Sequence, residues 1–108
     1  MKRIEDMTLR EKIGQLMMCG FPGTDATEMI DLIKRYKIGN VILFARNVKD
    51  PKQLFELNQT LQKVALETLG QPLFISIDQE GGMVTRIFHG ATFFPGQMTI
   101  GATDKPEY

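Results

Sequence analysis

The apolar positions of this chain follow two rhythms in alternation, one helical and one short and continuous. Thr8-x-x-Glu11 reads as a capping box that opens a helix, and Leu9, Ile13, Leu16 and Met17 then recur at helical spacing. Near Leu16 the pattern changes to a short strand over residues 18–21, which runs into the turn residues Pro22-Gly23. Thr24 or Asp25 caps a second helix, with Glu28 near its third position. Ala26, Met29, Ile30 and Ile33 share one face of it, Asp31, Lys34 and Arg35 take the other, and Gly39 is placed to end it. Residues 41–44 form a continuous apolar run, the kind of strand that is buried on both faces. Asp50-Pro51 starts a long helix whose buried stripe is Leu54, Leu57, Leu61, Val64 and Ala65, with Gln53, Glu56, Gln59, Gln62 and Lys63 mostly outside it. Gly70-Gln71-Pro72 stops that helix. A third apolar run, residues 73–77, is β-branched at Ile75 and Ile77. Beyond Gly82 the pattern weakens. Residues 84–88 read as a short strand or an irregular loop, and Phe93-Phe94-Pro95-Gly96 as a turn carrying two aromatics.

Strands that alternate with helices predict right-handed crossover units and a parallel sheet, hence an α/β fold. Three such units are too few to close a (β/α)8 barrel, which needs roughly 250 residues. The chain has 108 residues, so it is one domain or a piece of one. Three parallel strands leave open edges and an uncovered apolar face, and on that ground the chain is expected to self-associate or to need the rest of a barrel.

Composition narrows the function classes. Apolar residues make up 43% and charged residues 24%, as in globular proteins rather than disordered ones. Thirteen basic and 13 acidic residues balance, and no Lys/Arg cluster points to nucleic acid. No apolar run approaches the ~20 residues of a membrane span. The basic start Met1-Lys2-Arg3 has no apolar stretch behind it, so no signal peptide is read and a cytoplasmic location is expected, although a mature secreted chain would look the same. Cys19, the single cysteine, has apolar neighbours and reads as a small buried hydrophobe.

The candidate chemistry lies after the third apolar run, in Asp78-Gln79-Glu80-Gly81-Gly82. Carboxylates at the C-terminal end of a buried strand stand where α/β folds place their sites. Asp78 and Glu80 admit several readings: an acid/base pair, part of a hard-metal site, a helix or turn cap at Asp78, or a salt bridge from Glu80 to Arg86. No further His, Asp or Glu cluster lies nearby in sequence, which speaks against metal. Gly81 and Gly82 let the backbone bend sharply. Arg46-Asn47 follows the second strand at the same sheet end, where it stands near the site or forms a polar turn. His89 is the only histidine.

The block Asp78-Gln-Glu-Gly-Gly-x-Val-x-Arg86 resembles the signature of bacterial β-N-acetylglucosaminidases of glycoside hydrolase family 3. So do Gly39-Asn-Val-Ile-Leu-Phe-Ala-Arg-Asn47 and Phe94-Pro-Gly-Gln-Met-Thr-Ile-Gly-Ala-Thr103, in the same order. The resemblance implies a (β/α)8 barrel of which residues 1–108 are the N-terminal part of the catalytic domain. It further implies retaining hydrolysis of terminal β-linked N-acetylglucosamine from cell-wall fragments or chitooligosaccharides, with no cofactor and no metal. The aspartate matching Asp78 holds sugar hydroxyls in the family, and the arginine matching Arg86 belongs to the substrate site and can orient Asp78. Gln79 and Glu80, with Arg46 and Asn47, are expected to support these two. The family's nucleophilic aspartate and its histidine–aspartate acid/base pair lie downstream, so no catalytic residue is expected here and His89 does not take that role. Two alternatives stay open: a β-glucosidase-like exo-glycosidase, against which Asp-Gln-Glu-Gly-Gly speaks, and a non-catalytic sugar-binding fragment.

Overall fold

A computed structural model describes residues 2–105 and 107. Its regular elements are α1 (Leu9–Leu16), β1 (Met18–Cys19), α2 (Thr27–Tyr36), β2 (Asn40–Leu43), α3 (Pro51–Leu69), β3 (Phe74–Ile77) and α4 (Gln97–Gly101), with short 3-10 turns at Ile4–Asp6 and Ala45–Asn47. The strands form one parallel sheet in the order β1-β2-β3. The α/β organisation read from the sequence is therefore present, and each crossover carries a helix.

The boundaries follow local chemistry. Thr8 and Glu11 form the reciprocal capping box at the start of α1. Ala26 sits at the N-cap position of α2, but Asp25 does the capping, its carboxylate accepting the Thr27 N–H at 2.8 Å. Gly39 does not end α2, contrary to expectation. Lys37 takes the left-handed position at φ 61°, and Gly39 lies buried against the Gln15 side chain, donating its N–H to Gly14 at 2.9 Å. Asp50 caps α3, and Gly70, at φ 71°, closes it. The strand β1 is shorter than predicted because the chain leaves the ladder at Gly20, after which the Phe21 carbonyl takes side-chain donors. Residues 84–88 are irregular, and α4 has no counterpart in the sequence reading.

The core is the helix side of the sheet. Val41 and Leu43 point into a cluster with Met29, Ile33, Leu57, Leu61, Ala65 and Leu69. Strand residues alternate between faces. In register, Met18, Asn40 and Phe74, then Ile42 and Ser76, share the other face, and none of these is buried. The expectation that β2 is covered on both faces is thus not met. The helices cover one side only, and Phe74 remains 64% exposed on the other. On that open side Ser76 Oγ reaches Met18 Sδ across β2 at 3.4 Å, as side chains do on the concave face of a barrel wall. The stripe Leu9, Ile13 and Leu16 on α1, with Met17 at its C-cap, is also exposed. A radius of gyration of 16.8 Å exceeds the ~13 Å of a compact domain this long, as an open wall should.

The anchoring of α1 carries a pH dependence. The Glu11 carboxyl is held down from its ordinary 4.5 to about 2, chiefly by the hydrogen bond from Lys2 Nζ at 2.7 Å, then by the Thr8 N–H and hydroxyl. A carboxyl with a depressed folded-state pKa stabilises the fold above its unfolded value, and that contribution is lost as pH falls through the folded one. Circular-dichroism melts should therefore lose stability between pH about 4.5 and about 2, and Glu11→Gln should flatten that part of the profile. An identical slope in the variant would contradict the assignment.

Candidate functional site

Parallel pairing brings three strand ends to one edge of the sheet: Gly20 after β1, Phe44 after β2 and Asp78 after β3. The first two are fastened by Asn47. Its side chain is fully buried, donates from Nδ2 to the carbonyls of Phe21 (3.0 Å) and Gly23 (2.7 Å), and accepts the Phe44 N–H on Oδ1 at 2.9 Å. A buried amide with its donors and acceptor used is a fixed joint. Arg46 adds a bond from Nε to the same Phe21 carbonyl at 2.9 Å, and its guanidinium lies 4.5 Å over the Phe44 ring. Gly20 makes the room, since a Cβ there would sit 3.3 Å from Phe44 Cε2 and 3.2 Å from Arg46 Nη2.

Beyond β3 the chain must reverse. Gly81 and Gly82 do this at φ 83° and 55°. A Cβ on Gly81 would lie 2.8 Å from the carbonyl oxygens of both Phe94 and Pro95, so the turn packs directly on the later segment, and the Gly82 N–H donates to Phe94 O at 2.9 Å. Gln79 fixes the return strand of the loop: its Oε1 accepts the N–H groups of Arg86 (2.7 Å) and Ile87 (3.2 Å). Thr85 is buried and donates its hydroxyl to Gly82 O at 3.1 Å. The result brings Arg86 back over the strand ends, with its guanidinium 6.0 Å from the Phe44 ring.

Among the described residues the Asp78 carboxylate is exposed and has no hydrogen-bond or ion-pair partner. It caps no helix or turn. Arg86 is half-buried, and its Nε is buried without a partner. Neither Asp78 nor Glu80 forms an ion pair with Arg86 among the described residues, so the salt-bridge reading of Glu80 is not met and no ion pair links Arg86 to Asp78. Glu80 is exposed, and its backbone N–H instead closes the loop on Val84 O at 2.8 Å. An open cavity of about 620 Å³ lies beside this loop, lined by Gln79, Glu80, Ile87 and Phe94 among others. His89 is exposed. No three of His, Cys, Asp and Glu gather around a possible metal position among the described residues, and none of the described helices is long and apolar enough to cross a membrane. Two residues of this edge carry no site expectation from the sequence: Phe44, which reads only as the end of a strand, and Thr85. An aromatic at a strand end, two residues before Arg46-Asn47, is the available signal for the first.

Residues 8–108 match the model of the glycosyl hydrolase family 3 N-terminal domain. The chain belongs to glycosyl hydrolase family 3. Within that family it is 53% identical over 78 residues to beta-hexosaminidase A of Pseudoalteromonas piscicida, a match covering 70% of this chain and 13% of that protein. It is 39% identical over 90 residues to the beta-hexosaminidase of Nitrosomonas eutropha, covering 82% and 24%. Among solved structures, a family 3 beta-N-acetylglucosaminidase from Paenibacillus superposes with a TM-score of 0.88 at 46% identity, over 94% of this chain and 19% of that one. NagZ of Neisseria gonorrhoeae in complex with N-trifluoroacetyl-D-glucosamine superposes with a TM-score of 0.71 at 26% identity, over 84% and 26%. The family 3 fold thus accounts for the three-stranded parallel wall, and the chain spans no more than about a quarter of the length of these relatives.

Proposed function

We propose that the complete polypeptide releases terminal β-linked N-acetylglucosamine with retention, and that Asp78 and Arg86 form one wall of its sugar subsite. The observation that carries this reading is a pair of unpartnered polar groups, the Asp78 carboxylate and Arg86 Nε, at the sheet edge where barrels of this class keep their sites. The relatives named beta-hexosaminidase and beta-N-acetylglucosaminidase support the substrate class. An ionised carboxylate accepts two or more hydroxyl hydrogen bonds, and a guanidinium donates in a fixed fork, so the two suit vicinal sugar oxygens. Gln79 acts through the Arg86 backbone, Asn47 and Arg46 through the strand ends, and Glu80 through the turn. In a retaining reaction a carboxylate attacks the anomeric carbon as the leaving oxygen takes a proton, and water then opens the glycosyl-enzyme. We assign both of those groups to segments outside the 108 residues.

In the complete protein, Asp78→Ala should lower kcat/KM on a chromogenic β-N-acetylglucosaminide by about 100-fold, the loss of charged hydrogen bonds to the sugar. Unchanged turnover, or a preference of the unmutated enzyme for the β-glucoside, would overturn the reading. The isolated 108-residue chain, with two open sheet edges and an uncovered face, should sediment as a concentration-dependent associating species. A monomer with a sharp cooperative melt would contradict this.

A further inference from the structure

Two guanidinium groups share one ring at this sheet edge. Arg46 and Arg86 lie 4.5 and 6.0 Å from the Phe44 centroid, although like charges repel. Arg46 has a separate anchor, the Phe21 carbonyl. The Arg86 side chain has none: its backbone is held by Gln79, its Nε has no partner, and no carboxylate pairs with it among the described residues. Among the described residues, Phe44 is the aromatic ring within cation–π reach of the Arg86 guanidinium. Phe44 is itself well fixed. Its N–H and C=O are both bonded to Asn47, and its edge abuts Gly20. An aromatic platform suits a binding arginine because it attracts the cation electrostatically and leaves the N–H donors in the guanidinium plane free. A carboxylate partner would occupy those donors.

We infer that Phe44 is a positioning residue for Arg86: its ring sets the guanidinium so that the N–H fork meets the substrate, and Arg46 braces the other contact of the ring. This rests on the sugar-subsite reading of Arg86. The test uses the complete protein and the same chromogenic N-acetylglucosaminide, comparing Phe44→Leu, Phe44→Tyr, Arg86→Lys and the Phe44→Leu/Arg86→Lys double variant, each with its melting temperature. Phe44→Leu should lose about tenfold in kcat/KM, the size of a desolvated cation–π contact, and Phe44→Tyr should keep most of the activity. In the Arg86→Lys background, Phe44→Leu should have little further effect, because a ring that acts through Arg86 has nothing left to position. If Phe44→Leu costs the same factor in both backgrounds, or if it and Phe44→Tyr lose activity only in step with melting temperature, Phe44 is structural and the inference falls. An unmutated enzyme that does not turn over this substrate overturns the sugar-subsite reading, and the inference with it.

Discussion

The Asn47 side chain is the interaction on which the site edge depends. A parallel sheet ends its strands together, but nothing in the ladder fixes what happens one residue further on. Past Cys19 and Leu43 the backbone of each strand must find new partners, because buried polar groups left unpaired are costly. One wholly buried amide supplies them to both strand ends at once, taking the Phe44 N–H and giving its own protons to Phe21 and Gly23. With that joint closed, Phe44 has one place to be. Arg46 follows on the same 3-10 turn, and Gly20 leaves the space that both require.

The loop after β3 solves a different problem with different chemistry. It must carry the chain away from Asp78 and return Arg86 to the same edge within eight residues. Two glycines in left-handed geometry make the reversal, and Gln79 pins the return by accepting two successive N–H groups. What remains uncommitted is the pair of groups suited to bind, Asp78 and the Arg86 side chain. The scaffold and the proposed binding groups are thus distinct sets of residues, although they alternate along one short stretch of sequence.

How much of this could be read from the chain depends on the range of the force involved. Helix starts were legible where a local cap fixes them, at Thr8-x-x-Glu11 and Asp50-Pro51. The parallel pairing was legible because strands that alternate with helices are joined by crossovers. Gly39 misleads, since its sequence position suits a helix end while its actual role, close passage beside Gln15 and Gly14, is a contact between residues far apart in sequence. Burial of β2 on both faces was over-read for a related reason: an apolar run records the environment of a closed barrel, and this chain supplies one wall of it. At the proposed site, Asp78 and Arg86 stand out by motif, Asn47 shows only its position at a strand end, and the ring of Phe44 gives no signal, because a cation over an aromatic leaves no periodic trace.

The central claim is that the edge formed by Asp78 and Arg86 holds a sugar, and a crystal structure of the complete protein with N-acetylglucosamine tests it most directly. The account predicts the Asp78 carboxylate accepting hydroxyl hydrogen bonds from the ring and the Arg86 guanidinium donating to the same sugar while resting on Phe44. A sugar bound elsewhere, or bound with Asp78 turned to solvent, would contradict it.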